Sequence, residues 1–162
     1  MRSHDTTHWI IRANDGVNFL NSNYPFWGVK RGHGGGIKTI VNKIKPCDIL
    51  WFLTSKPHGG KFIGMCEYTH YYDKEDEPLI SVNTFSNKDQ NWKGEEYWSI
   101  QIHYKNLYII TETQQRNLNL KAVIQCGGTI LEYETFKKKG KELPDLSYHY
   151  ENFKNYAEPK IF

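Results

Sequence analysis

Apolar residues recur with two different periods along the chain, and strands are the clearest elements that they predict. Residues 7–13 (THWIIRA) are rich in β-branched and aromatic side chains, which favours a strand. Residues 47–54 (CDILWFLT) are almost all apolar, so we expect a strand that is buried on both faces, with Trp51 in the core. A glycine-containing turn at 55–60 leads into a further strand at 61–72, and these two strands are predicted to form a hairpin.

Helical periodicity is found in two short segments. Residues 14–22 follow the first strand and begin with Asn-Asp, which is typical of a helix N-cap. Within residues 36–44, four apolar side chains recur at i, i+3, i+4 and i+7, as on one face of a helix. Further strands are predicted at 95–110 and at 129–133. This mixture of strands and short helices along the chain predicts an α+β fold, with a curved sheet or partly closed β-barrel and helices packed around it.

The length of 162 residues corresponds to one domain. We expect residues 1–135 to form that domain and residues 136–162, which begin with a charged stretch, to form a charged C-terminal tail. The N-terminal residues contain no long apolar run, so neither a signal peptide nor a membrane span is predicted. The three cysteines are far apart, which favours reduced and mostly buried thiols over a secreted disulfide scaffold. We therefore expect a soluble intracellular protein.

Charge is unevenly distributed, although the net charge is only +3. Between Trp27 and Lys61 there are seven cations and one acid, whereas between Glu67 and Glu77 there are five acids and one cation. This asymmetry predicts one basic face suited to phosphates. Aromatic residues make up 15% of the chain, and some of them are expected to line a surface on which bases stack.

Motifs of the common enzyme classes are absent from the sequence. There is no GxSxG, HExxH or P-loop motif, and the seven histidines have no metal-binding spacing. We therefore expect a non-catalytic protein without a metal or other cofactor. One enzymatic alternative stays open, because Thr54, Lys61 and Glu67 are residue types used by ASCH-like amidohydrolases that act on modified nucleosides.

Three short segments, taken in order, carry a resemblance to a known family. They are residues 12–18 (RANDGVN), residues 26–28 (FWG) and residues 91–94 (NWKG), and a hairpin with the strand 60–67 (GKFIGMCE) lies between the second and the third. In this order and spacing the chain resembles the YTH domain family over about residues 7–110. That family belongs to the wider PUA-like group, so the resemblance implies a PUA-like fold.

The resemblance also implies a function, the recognition of N6-methyladenine, mostly in single-stranded RNA, without catalysis. By position, Trp27 and Trp92 match two aromatic walls of the pocket that holds the methylated base. Asn18 matches the side chain that bonds a ring nitrogen, and Asn14 matches a residue at the base edge. Gly28 matches the position whose carbonyl accepts the remaining amino hydrogen, although the family usually has Ser, Cys or Thr there.

The third wall and the phosphate contacts are assigned less directly. Phe85 and Trp98 are the candidates for the third wall. Cations near the pocket are expected to bind the flanking phosphates, as phosphate contacts position a nucleic acid without reading its sequence. These residues are Arg12, Lys30, Arg31 and Lys56.

The pocket chemistry is plausible on physical grounds as well. Aromatic rings around a methylated amino group bury the methyl group and stack on the base, and an amide or carbonyl reads the base edge. The base must leave its stack, which costs least in a single strand. An EVE-like reader of modified cytosine in DNA has the same fold and pocket, and this alternative remains open together with the ASCH-like amidohydrolase.

Overall fold

The computed structural model describes residues 6–76, 86–122, 129–138, 142–152 and 157–162. Within these ranges the chain has an α+β fold. The strands are β1 (His8–Arg12), β2 (Phe26–Val29), β3 (Ile49–Leu53), β4 (Phe62–Asp73), β5 (Ile100–Ile109), β6 (Ile130–Glu132) and β7 (Glu158–Pro159). The helices are α1 (Val17–Asn21), α2 (Gly36–Val41), α3 (Glu112–Asn117), α4 (Tyr133–Lys137) and α5 (Leu146–Asn152).

All seven strands belong to one curved sheet that does not close into a barrel. Six of them follow the order β2-β5-β4-β3-β1-β6, and β7 pairs with the far end of β5. β1 runs parallel to β3, whereas the other pairings are antiparallel. The β3–β4 pair confirms the predicted hairpin. The edge strands of this order are β2 and β6, and residues of β2 and the residue before β6 lie on opposite sides of one gap, where they line the same cavity.

Strand β3 is buried on both faces, as predicted from its apolar sequence. Its alternating side chains enter two separate hydrophobic cores. Phe52 belongs to the core that also contains Phe19 and Trp27, and Trp51 belongs to the core beneath α4 and α5. Trp51 is fully buried, and its indole N–H donates to Nδ1 of His8, 2.9 Å away. Burial lowers the pKa of His8 to about 4, which fits a neutral imidazole that accepts this bond.

Two predicted elements are shorter in the structure. Helix α1 starts at Val17, whose backbone N–H donates to the Asp15 side chain, because Gly16 has a left-handed backbone with φ 84°. The strand predicted over 95–110 begins only at Ile100. Residues 95–99 instead belong to an irregular segment, which hydrogen bonds from the side chain of Asn87 hold in place.

The described part of the C-terminal segment, which was expected to form a charged tail, packs against the rest of the molecule. Helix α4 crosses the predicted boundary at residue 135. In α5, Leu146 is fully buried in the core that contains Trp51. Beyond β7, the Lys160 ammonium donates to the backbone carbonyls of Leu20 and Ser22 at the end of α1, at 3.2 and 2.6 Å. The C-terminal segment therefore contributes to the core, to the sheet and to the packing of α1.

Over the described ranges, no helix is long and apolar enough to cross a membrane, and no cluster of metal-binding side chains is found. The thiol of Cys66 is buried and Cys47 is exposed, so the expectation of mostly buried thiols holds only for the first of these. Cys126 lies outside the described residues.

Candidate nucleic-acid interface

A cavity of about 440 Å³ lies in the gap between the two edges of the sheet, and we call it the edge cavity. Its lining comes from β2, the carboxyl ends of β1 and β3, the start of β6, and α2. The lining residues are Arg12, Asn14, Trp27, Gly28, Val29, Lys30, Gly32, Ile37, Ser55, Trp98 and Thr129. Six of the predicted site residues, from three separate stretches of sequence, therefore meet in one place.

Trp27 forms part of the wall of the edge cavity and part of the core at the same time. Its side chain is only 8% exposed. The ring packs edge to face against Phe19 and Phe52, with centroids 6.1 and 6.0 Å away, because Trp27 points toward the inside of the curved sheet. The core thus holds the indole in one orientation, which favours a binding surface that exists before a ligand arrives.

Gly28 allows two tryptophans to approach the backbone of β2. A Cβ atom at this position would lie 2.6 and 2.7 Å from Cβ and Cγ of Trp98, and 3.1 Å from Cζ3 of Trp92. Trp98 is half-buried and lines the edge cavity together with Trp27. The structure thus places Trp98 beside the first predicted wall. Phe85, the other candidate, lies outside the described residues.

Trp92 does not stand opposite Trp27 across an open space. The two rings are in contact, with centroids 5.2 Å apart and planes at 63°. The Trp92 indole N–H donates to the hydroxyl of Ser22, 2.7 Å away, and that hydroxyl donates in turn to the carbonyl of Asn18. Ser22 is 2% exposed. This serine positions Trp92, and its sequence context at the end of a short helix gives no signal of that role.

The two predicted asparagines lie in different environments. Asn14 has a left-handed backbone with φ 51°, lines the edge cavity and is exposed. The side chain of Asn18 instead forms two hydrogen bonds with the backbone of Lys93, accepting at 2.9 Å and donating at 3.2 Å. Asn18 therefore anchors the irregular segment to α1 and does not belong to the lining of the edge cavity.

Arg12 carries the least satisfied polar group of the edge cavity. Its backbone N–H donates to the carbonyl of Thr129, 2.9 Å away, which ties the end of β1 to the start of β6. The Nε and Nη2 atoms of its guanidinium are buried and have no hydrogen-bond partner among the described residues. Buried donors without an acceptor are costly, so an anion or another acceptor in the cavity would stabilise these two nitrogens.

Two cations of the predicted basic face, Arg31 and Lys38, are neutralised by the acidic run that follows it. Arg31 Nε lies 2.7 Å from Oδ2 of Asp73 and also pairs with Asp76, and Lys38 binds both carboxylates. The end of β4 brings these acids beside α2. Burial acts to raise the pKa of Asp73, but hydrogen bonds from the Glu75 backbone, Lys38 and Arg31 lower it overall. Arg31 is thus already paired with acids, which reduces the charge that the predicted basic face can offer to a phosphate.

Two other predicted phosphate ligands are exposed. Lys30 lies at the rim of the edge cavity, with its ammonium 5.6 Å from the centroid of the Trp98 ring and in an ion pair with Glu96. Lys56 is in the turn after β3 and directly follows Ser55, which lines the cavity. An ion pair between side chains as exposed as Lys30 and Glu96 contributes little free energy, so Lys30 can exchange this carboxylate for a phosphate.

The residues considered for amidohydrolase chemistry do not converge. Lys61 and Glu67 are six residues apart along one extended segment, so they are separated by roughly 20 Å. The hydroxyl of Thr54 accepts a hydrogen bond from the Lys61 backbone N–H at 2.8 Å and donates to the carbonyl of His58. These contacts give Thr54 a role in shaping the turn after β3.

Comparison with solved structures finds low similarity to two YTH domains. For the YTH domain of the Zygosaccharomyces rouxii MRB1 protein in complex with N6-methyladenosine RNA, the TM-score is 0.46 at 12% identity, over 85% of this chain and 88% of that chain. For the Pho92 YTH domain in complex with m6A, the TM-score is 0.41 at 9% identity, over 83% of this chain and 81% of that chain. For a hypothetical protein from Leishmania major, the TM-score is 0.41 at 12% identity, over 85% of this chain and 96% of that chain. No protein-family model and no curated protein matches the chain.

Proposed function

We propose that the protein is a non-catalytic reader of a modified nucleobase, N6-methyladenine in single-stranded RNA or DNA, and that the base enters the edge cavity. The observation that carries this proposal is the composition of that cavity. Two tryptophan rings, a glycine backbone, an asparagine and an unsatisfied arginine line one space of about 440 Å³. Cavities of this size commonly hold small ligands.

The aromatic side chains supply the stacking surface. Trp27 is fixed by the core, and Trp98 lies against β2 where Gly28 leaves room for it. A base that contacts these rings gains about 1–3 kcal/mol from stacking, and burial of the methyl group adds about 0.8 kcal/mol. Gly28 lies in β2, an edge strand of the sheet, and lines the cavity. A carbonyl at this position would accept the remaining amino hydrogen of a methylated adenine.

Polar side chains would fix the orientation of the base and its phosphates. Asn14 is exposed at the end of β1 and lines the cavity, so its amide is available to a base edge. Arg12 would bind a phosphate of the nucleotide, which would satisfy its buried donors. Lys30 and Lys56 at the rim would hold flanking phosphates. Arg31 contributes less, because Asp73 and Asp76 already neutralise it.

The proposal predicts a preference for the methylated base, which oligonucleotide titrations measure directly. Single-stranded RNA and DNA with one N6-methyladenine should bind at least about fourfold more tightly than the same strands with adenine, since a buried methyl group adds about 0.8 kcal/mol. Duplex DNA with 5-methylcytosine serves as the comparison for the alternative reader. Equal affinities for all these strands would refute the proposal, and tighter binding of the 5-methylcytosine duplex would favour the alternative.

Substitution of Arg12 by leucine should have opposite effects on binding and stability. Loss of the charge-assisted hydrogen bonds should weaken binding of methylated and unmethylated strands alike by about 10- to 100-fold. The dependence of log K on log salt should become shallower by about 0.7, as expected for one phosphate contact in a single strand. The free energy of unfolding should stay constant or rise, because buried unpaired donors are removed.

Arg116→Leu is the matched control for this change, since it removes one positive charge from an exposed position in α3. It should leave affinity nearly unchanged. If Arg12→Leu had no more effect on binding than Arg116→Leu, Arg12 would not contact the nucleic acid. A loss confined to the methylated strand would instead place Arg12 at the base edge.

A further inference from the structure

A second cavity, of about 580 Å³, adjoins the edge cavity, and we call it the loop cavity. Gly28 and Trp98 line both cavities. In the register of β2 and β5, Gly28 pairs with Gln101, and Gln101 also lines the loop cavity. The loop cavity is completed by residues 86–97, which precede β5, and by Phe26 and Lys74.

Hydrogen bonds fix the segment that covers the loop cavity. The Asn87 side chain donates to the carbonyls of Gly94 and Glu96 at 3.1 and 3.0 Å, and the backbone carbonyl of Asn87 accepts from the Trp92 backbone N–H at 2.7 Å. Gln90 is fully buried and donates to the carbonyls of Tyr24 and Phe26, both at 3.0 Å. The cavity is therefore a formed feature of the fold, so a ligand would not have to order this segment on binding.

The lining of the loop cavity suits a neutral, planar group. Four aromatic side chains contribute to it: Phe26, Trp92, Tyr97 and Trp98. Two lysines and two glutamates also line it, so their charges balance, and Lys74 lies with its ammonium 5.4 Å from the centroid of the Tyr97 ring. A phosphate would gain little from this set of charges, whereas a nucleobase would find ring surfaces on which to stack.

We propose that the loop cavity binds the base next to the modified base, so that the side chain of Trp98 separates two consecutive bases of one strand. This inference rests on the function proposed above and adds a second recognition site to it. Bases in a helix stack about 3.4 Å apart, so one indole inserted between two of them requires about twice that spacing. A single strand is free to unstack and extend, whereas a duplex is not.

Removal of one neighbouring base tests the second site. The strands are single-stranded RNAs with one N6-methyladenine and an abasic nucleotide on its 5′ side, on its 3′ side, or three nucleotides away as the control. An abasic nucleotide on one of the two adjacent sides should weaken binding by about 5- to 150-fold, the size expected from base–aromatic stacking, and the distant one should have no effect.

The direction of the change separates this proposal from a single-site reader. Without a second site, removal of a neighbouring base makes the methylated base easier to unstack, and affinity should stay constant or rise. If removal of either neighbouring base leaves affinity unchanged or raises it, and the preference for the methyl group is kept, the second site is refuted and the proposed function stands. Loss of the methyl preference itself would refute the proposed function and, with it, this inference.

Tyr97→Ala links the effect to the loop cavity. Tyr97 is 59% exposed, so the substitution should not affect folding. It should reduce the penalty for the missing neighbouring base while the preference for the methyl group is kept. Tyr148→Ala is the matched control, because Tyr148 is also 59% exposed but lies on α5. An equal penalty in the Tyr97→Ala and Tyr148→Ala proteins would contradict the assignment of the second base to the loop cavity.

Discussion

Trp27→Ala should lower the free energy of unfolding by roughly 3–5 kcal/mol and remove the preference for a methylated base. The stability loss is expected because Trp27 is 8% exposed and packs against Phe19 and Phe52, so truncation leaves a void in the core. The binding loss is expected because the same ring lines the edge cavity. Urea unfolding and oligonucleotide titration measure the two effects separately.

A second substitution keeps this test decisive if Trp27→Ala is largely unfolded. Trp27→Phe keeps an aromatic ring in the core and should fold, with a smaller stability loss and a reduced preference for the methylated strand. A folded Trp27 variant that discriminates as well as the original protein would exclude Trp27 from the binding surface. A stability change below about 1 kcal/mol in Trp27→Ala would contradict its place in the core.

Gly28→Ala should disturb both cavities with the addition of one methyl group. The new Cβ would lie 2.6 and 2.7 Å from Cβ and Cγ of Trp98, and the first of these atoms cannot move unless the backbone moves. Overpacking of this kind costs about 1–3 kcal/mol. Since Trp98 lines both cavities, the variant should also bind the methylated strand more weakly. Thermal or urea unfolding and the titration described above measure these effects.

Gly36→Ala provides the control for a methyl group added where there is space. Apart from its chain neighbours and the backbone of its own helix, no atom of the described residues lies within 4 Å of the position that its Cβ would take, and its backbone is already helical, with φ −60°. It should leave binding unchanged and stability equal or slightly higher, because alanine favours the helix. If Gly28→Ala behaved like Gly36→Ala, the close approach of Trp98 to β2 would have no energetic importance.

The fold class was accessible from the sequence because burial leaves a clear pattern. β3 is apolar at every position since it enters a core on each face, and the β3–β4 hairpin follows from a short turn between two such stretches. The later start of β5 was not accessible in this way. Residues 95–99 read as part of a strand, but side-chain hydrogen bonds from Asn87 hold them in another conformation.

The candidate site was only partly predictable, since its geometry depends on contacts between distant parts of the chain. Trp27, Gly28 and Asn14, which the motifs singled out, line the edge cavity. Asn18 and Trp92 lie nearby but have structural partners, the Lys93 backbone and the Ser22 hydroxyl. No local pattern predicts a hydrogen bond across 70 residues of sequence.

Charge patterning was similarly informative only in part. The basic and acidic runs were visible in the sequence, but their mutual neutralisation depends on the end of β4 lying beside α2. Lys30 pairs with an acid from yet another segment, Glu96. Linear charge counts therefore overestimated the basic surface, and the two guanidinium nitrogens of Arg12 that have no partner among the described residues became apparent only in three dimensions.

The position of β1 in the sheet has a consequence for how the molecule folds. β1 pairs with β3 about 40 residues later in the chain and with β6 about 120 residues later, whereas β3 and β4 are joined by a short turn. Because loop closure must precede distant pairing, we expect the hairpin to form early and β6 to dock late. Arg12 is held at β6 through Thr129. The edge cavity should therefore be assembled in the last steps of folding, and a chain that ends before β6 should lack it.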